Sequence, residues 1–172
     1  IRATHRSEFL EARELQGKAR MLLDELTYTK KEHPDVFYSG FVEDSQKEYV
    51  EACSTLAFAE ESSLPTMETL NVGPAAYMNG LAETIGELRR FLLDLLRSDN
   101  FTRCENLLKI MDEIYSILVT IDYPDAVTRG LRRNTDVMRG VIERTRGDLT
   151  VALRQRKLER QLRQLTDRLD DN

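Results

Sequence analysis

The sequence contains no tryptophan, two cysteines, two histidines, four prolines and eight glycines in 172 residues. So few breakers leave long uninterrupted stretches, and none shows the period-two alternation of β-branched residues that a sheet requires. The two cysteines, Cys53 and Cys104, fall in apolar helical patterns without a second Cys or His at metal spacing. That excludes a thiolate metal site and predicts buried thiols in a reducing, cytoplasmic compartment. The histidines, His5 and His33, lie far along the chain from every acidic pair. A helical di-iron site built on Glu-x-x-His motifs is thereby excluded. No run approaches the roughly 18 apolar residues of a membrane span, and no apolar segment opens the chain, so no membrane association is expected.

What is present is 41% apolar and 32% charged, with a net charge of −5. This balance predicts one helical domain over residues 1–172. The charge is unevenly spread: residues 1–128 hold 13 Lys and Arg against 23 Asp and Glu, whereas residues 129–172 hold 12 against 7. An anionic partner for the basic end, or opposite-sign surfaces that pair between subunits, follows from that asymmetry. Helical periodicity predicts a first helix over 4–31, ended by Pro34, and a second over 35–61. A connector precedes a third helix over 74–97, opened by Pro74. A fourth covers 100–120, and a last one, capped by Asp122 ahead of Pro124, runs to 169 with an interruption near Gly130. Joined by short loops, these make an all-α, antiparallel bundle of five or six long helices. Leu158, Leu162, Leu165 and Leu169 alternate steps of four and three, a heptad seam that suits contact with a neighbouring helix or subunit.

Two acidic pairs stand out. Glu48 and Glu51 lie one turn apart in "KEYVEACSTLAFAEE", on the arc opposite Val50, Cys53 and Leu56; Glu83 and Glu87 border the apolar arc of "GLAETIGELRRFLLDLL" beside Gly80. Small neighbours on both helices would let the backbones approach with the carboxylates facing a common crevice. Like charges one turn apart destabilise a helix by about 0.2–0.5 kcal/mol unless a cation compensates, and Arg90 is within reach of Glu87 for that role. One reading is a solvated acidic face. The other is a site for a hard divalent cation, and carboxylates without imidazole or thiolate suit Mg²⁺ or Mn²⁺. Such an ion orients a phosphodiester and stabilises its developing charge, which points to phosphodiester hydrolysis.

Arg2, Arg6, Arg13 and Arg20 fall within about 40° of one another on a continuous helix. Such a stripe can follow a nucleic-acid backbone, or can cover a helix interface in ion pairs with Glu8, Glu14 or Asp24. Arg132 and Arg133 open the last basic segment without evident acidic neighbours and are further phosphate-binding candidates.

Three segments, "QKEYVEACSTLAF", "YMNGLAETIGELRRFLLDLL" and "YPDAVTRGLRRNTDVMRGVIERTRGDL", resemble the translin family, and Trax-like subunits more than translin itself. The acidic pair in "EYVEA" is the most specific part. Trax-like chains typically carry Asp where this one carries Glu83, which keeps the charge and lengthens the ligand. The short chain, without long insertions, is similar to archaeal homologs. The resemblance implies a helical bundle assembled into hollow octamers enclosing RNA, alone or with a translin-like partner subunit. It also implies Mg²⁺-dependent endonuclease action on single-stranded RNA, with Glu48, Glu51, Glu83 and Glu87 as metal-binding acids and Arg2, Arg6 and Arg13 as RNA contacts. Single-stranded DNA is a further possible ligand. The alternatives are a nuclease-silent, translin-like nucleic-acid-binding scaffold and a pure assembly module.

Overall fold

In the computed structural model, described for residues 1–170, the chain is helical throughout, with no strand among the described residues. The last two residues of the expected domain lie outside those described. Five long helices carry the fold: α2 (Phe9–Glu32), α4 (Phe41–Ala59), α6 (Pro74–Arg97), α7 (Phe101–Leu118) and α9 (Leu131–Asp170). Four single turns lie between or before them: α1 (Arg2–His5), α3 (Pro34–Phe37), α5 (Met67–Leu70) and α8 (Asp125–Thr128).

The bundle is built around α6, which packs against α4, α7 and α9. Its apolar stripe of Leu81, Ile85, Leu88 and Leu92 is buried against Val50 of α4, Leu107 and Met111 of α7, and Met138 and Ile142 of α9. Helices α6 and α7, joined by a short loop, run antiparallel as expected, the Cys104 thiol reaching the Leu92 carbonyl, and so do α7 and α9 across the turn α8, where Arg146 pairs with Asp112. Helix α2 likewise runs antiparallel to α4, with Gln16 donating to the Ala52 carbonyl and Arg13 bonding Glu60. Between α4 and α6, however, residues 60–73 return the chain to its starting end. The two helices therefore run in the same direction, Gln46 lying beside Gly73 and Val50 beside Gly80.

Cys53 and Cys104 are free and buried, and burial pushes both thiols up to about 11. The helix expected over 4–31 is broken at Ser7, whose φ is 60°. There the Ser7 and Glu8 amides donate back to Thr4 and Ala3, closing α1 and turning it onto α4. The helix expected over 35–61 is likewise split, because Gly40 adopts a left-handed φ of 102° before α4. The expected interruption near Gly130 is present, with Arg129 and Gly130 both left-handed. Pro124, not Asp122, occupies the N-cap of the short turn α8. The leucine seam stands clear of the body: after Arg156, whose guanidinium lies 4.5 Å over the Phe101 ring, the remainder of α9 projects with Leu158, Leu162, Leu165 and Leu169 all exposed.

Candidate metal centre and nucleic-acid contacts

Close approach of α4 and α6 creates the site. Gly80 is the contact point: a Cβ there would fall 2.6 Å from Val50 Cβ and 2.7 Å from the Lys47 carbonyl. Because the helices run in the same direction, Glu48 and Glu51 come level with Glu83. The three carboxylates each offer an oxygen, and these oxygens lie within 4.8 Å of one another. Glu51 and Glu83 also line, with Glu87, Asn134 and Met138, a crevice of about 320 Å³ between α6 and α9.

The face carrying Glu48 and Glu51 was expected to look away from the core. Instead Glu51 is only 9% exposed, since α6 covers one side and α1 folds back on the other. Burial first, then the charges of Glu48, Glu83 and Glu87, push the Glu51 carboxyl from 4.5 up to about 7; Lys47 opposes the shift. Lys47 is the cation nearest the cluster, its Nζ 2.9 Å from Glu83 Oε1 and 3.8 Å from Glu48 Oε1. The Glu83 hydrogen bond raises the Lys47 pKa in return.

The histidines correct the reading of the sequence. His5 was expected to lie remote from both acidic pairs, but the reversal at Ser7 brings its Nε2 to 2.5 Å from Glu87 Oε2, with the side chain almost fully buried and its ring 6.4 Å from Phe91. His5, not Arg90, is the hydrogen-bonding partner of Glu87. Glu87 is not among the three carboxylates that gather within 4.8 Å, although its charge still acts on Glu51.

The donor set fits a hard cation. Octahedral Mg²⁺, with bonds of about 2.1 Å, places its ligand oxygens about 3–4 Å apart, so small side-chain rotations would close the group around one ion. Glu48, Glu51 and Glu83 could hold it. On α1 and α4, Thr4 Oγ1, His5 Nδ1, Ser54 Oγ and Thr55 Oγ1 are buried without a protein partner.

The arginine stripe is not continuous. The break at Ser7 puts Arg2 and Arg6 on α1 and Arg13 and Arg20 on α2. Arg6 pairs with Glu8 at 2.7 Å, Arg13 with Glu60 at 2.8 Å, and Arg20 with both Asp24 and the Leu70 carbonyl. Only Arg2 of the four is exposed without an ion pair among the described residues. Arg132 and Arg133 diverge. Arg132 faces a pocket with Asp122, Asp136 and Arg139, whereas Arg133 lines a crevice of about 400 Å³ with Lys47, Asn79, Glu83 and Asn134. Asn79 donates to the Thr128 carbonyl and accepts from Asn134, which ties α6 to α9 along this crevice.

Comparison with known proteins agrees with this architecture. A crystal structure of AfC3PO is 34% identical with a TM-score of 0.82, covering 91% of this chain and 81% of that one. An AfC3PO–duplex RNA complex is 35% identical with a TM-score of 0.81, at the same coverage. The chain belongs to the translin/C3PO family. NeC3PO in its apo form, 22% identical over 88% of this chain and 79% of that one with a TM-score of 0.79, shares the fold. A protein of Methanocaldococcus jannaschii described only as uncharacterized is 33% identical over 129 residues, 74% of this chain. The chain spans 58% of the length of that relative. No family model matches.

Within this translin/C3PO chain, the resemblance of "EYVEA" and "GELRR" brought out the acids but not the groups that act on them. Lys47 carried a signal, since it immediately precedes Glu48 and is the one base on α4. His5 carried only a weak one: its approach to Glu87 depends on a backbone reversal at Ser7, a residue type common in turns but rarely left-handed.

Proposed function

We propose that the chain is a metal-dependent RNA endonuclease acting as a single domain within a homo-oligomer, with Glu48, Glu51 and Glu83 holding Mg²⁺ or Mn²⁺ and Glu87 supporting them. The observation that carries this reading is the convergence of three carboxylate oxygens within 4.8 Å from two helices. The bound ion supplies Lewis-acid stabilisation of the phosphodiester charge. Lys47 and Arg133, lining the crevice next to Glu83, hold phosphate oxygens, and Arg2 on α1 extends the path of the strand. Without a cation, burial and the neighbouring carboxylates hold the Glu51 carboxyl up at about 7, and its ionised form is the one that binds a cation. The AfC3PO–duplex RNA complex supports RNA as the ligand class, and we assign single-stranded RNA, with single-stranded DNA as a further ligand, to the path of Arg2, Lys47 and Arg133.

Labelled single-stranded and duplex RNA, each incubated with Mg²⁺ or with EDTA, tests the reading. Cleavage is expected only with metal, and Glu48→Gln or Glu51→Gln is expected to reduce it by about a hundredfold or more, a loss of at least about 2.7 kcal/mol of transition-state stabilisation, without changing oligomer size. Full cleavage by both variants removes these acids from the mechanism.

A second reading, a nuclease-silent nucleic-acid-binding scaffold, is favoured by one observation: Lys47 and His5 already satisfy Glu83 and Glu87. On the enzyme reading Lys47 competes with the cation. Lys47→Met is then expected to tighten Mn²⁺ binding, measured by calorimetry, by about five- to tenfold, equivalent to about 1–1.4 kcal/mol. Absence of Mn²⁺ binding by both proteins points to the scaffold.

A further inference from the structure

The crevice that holds Lys47 and Arg133 and the crevice that holds Glu51 and Glu87 are two ends of one groove along α6 and α9, since Glu83, Asn134 and Val137 line both. Asn134 therefore stands at the joint, between a basic mouth and the acidic cluster. Neither the cation site nor the phosphate contacts make use of it. We propose that Asn134 is a specificity-determining residue, which reads the ribose 2′-hydroxyl of a bound strand and so favours RNA over DNA. This rests on the nucleic-acid reading above and assigns the group that chooses the sugar.

The orientation of the Asn134 amide is dictated by its neighbour. Asn79 is 3% exposed, and its nitrogen donates to two carbonyls, that of Ala75 at 2.9 Å and that of Thr128 at 2.8 Å. Carbonyls only accept, so Asn79 turned over would set its own oxygen against both. Its Oδ1 consequently faces Asn134, whose nitrogen donates to it at 2.9 Å. Asn134 is left with its own Oδ1 and one N–H hydrogen unused by any protein group among the described residues, on a half-buried side chain that ties α9 to α6. A hydroxyl, which both donates and accepts through one atom, complements such an amide. A phosphate, which only accepts, matches half of it.

Position selects the sugar. A strand that enters at Arg133 and passes Glu83 toward the cation site sets one phosphate at the mouth and the next at the acids, with the ribose that joins them at Asn134. Val137, one turn along α9 and exposed, offers an apolar surface to the C–H face of that ring. Other acceptors in the groove suit the hydroxyl less well. Glu43 is paired with Arg129 at 3.5 Å and Glu83 with Lys47 at 2.9 Å, and any carboxylate repels the phosphates on either side of a ribose. Asn134 is neutral and carries no such penalty. The 2′-hydroxyl, donor and acceptor at once, is the group by which a protein tells RNA from DNA at a given site. Deoxyribose leaves the Asn134 amide unpaired, whereas the contacts of Lys47 and Arg133 with phosphate are the same for both sugars.

Three labelled oligoadenylates of equal length, with ribose, 2′-deoxyribose or 2′-fluororibose throughout, test the assignment by fluorescence anisotropy in EDTA, where no metal-dependent cleavage intervenes. They share base and phosphates, and the 2′-fluoro strand keeps a ribose-like pucker without a hydrogen to donate. Wild type is expected to bind the ribose strand about three- to tenfold more tightly than either of the others, the effect of one neutral hydrogen bond. Asn134→Ala, and Asn134→Leu as a variant that fills the same space, are expected to bind all three alike, with affinity for the deoxyribose strand near that of wild type. If wild type holds the 2′-fluoro strand as tightly as the ribose strand, pucker and not the hydroxyl is sensed, and the proposal fails without reference to any variant. It fails equally if a folded variant keeps the wild-type preference while binding all three strands more weakly, as a purely structural tie between α6 and α9 would. Wild type that binds none of the strands overturns the nucleic-acid reading itself, whereas a preference that the variants retain overturns only the assignment of Asn134.

Discussion

Glu51→Gln is expected to make the metal-free protein more stable at pH 8 while weakening its hold on divalent cations. Burial and three neighbouring carboxylates raise Glu51 to about 7, above its ordinary 4.5. Between those values the folded protein binds more protons at this position than the unfolded chain, so stability falls as pH rises through the window. Below about 4.5 the group is protonated in both states and carries no penalty. Above about 7 the penalty is complete, on the order of 3 kcal/mol. A neutral glutamine of the same shape does not bear it. In EDTA, the variant should melt higher than wild type at pH 8, by roughly 6–12 °C for a chain of this size, and the difference should vanish toward pH 4.5. Saturating Mg²⁺ or Mn²⁺ should raise the wild-type transition and leave the variant nearly unmoved, because a ligand stabilises only the form that binds it. Equal melting of the two proteins in EDTA at pH 8 would contradict the crowded, buried carboxylate described here. The opposing effects on stability and metal binding are what a strained functional site produces.

The long helices were legible in the sequence because their signal is periodic and redundant. The stripe Leu81, Ile85, Leu88 and Leu92 identifies α6 whichever of its members is considered, and Pro74 marks its start. The breaks were not legible in the same way. Gly40 is a visible candidate for a left-handed residue, but Ser7 is not, and a single reversed φ there redirects the first six residues. That reversal divides the arginine stripe, buries Glu51 from a second side and supplies His5 to Glu87. Direction was hidden too. Helical periodicity places Glu48 and Glu51 on one face and Glu83 and Glu87 on another, yet whether the pairs meet depends on α4 and α6 running in the same direction. The long connector over residues 60–73 permits this but does not demand it. Local pattern thus reports which side chains share a helix face, whereas the site depends on how faces are brought together by a turn and a crossover.

Gly80→Ala tests that coupling between packing and site. A methyl group at residue 80 would meet Val50 Cβ at 2.6 Å and the Lys47 carbonyl at 2.7 Å, both on α4 and neither at the end of a flexible side chain. Relief requires α4 to move away from α6. Overpacking of this kind costs about 1–3 kcal/mol, equivalent to a fall in Tm of roughly 2–12 °C. The same displacement carries Glu48 and Glu51 away from Glu83, so divalent-cation affinity should fall even though every carboxylate is retained. Gly86→Ala, one and a half turns along the same helix, is the control. Nothing lies within 4 Å of its added Cβ, and replacing an exposed helical glycine by alanine is expected to raise stability by about 0.5–1 kcal/mol. Melting curves of the two variants should therefore shift in opposite directions, while Mn²⁺ calorimetry should show weaker binding by Gly80→Ala and unchanged binding by Gly86→Ala. If Gly80→Ala lowers Tm but leaves Mn²⁺ affinity intact, the acids are not held in place by the α4–α6 approach. If it changes neither, the approach at Gly80 is not as close as 2.6 Å implies, and convergence of the carboxylates loses its structural cause.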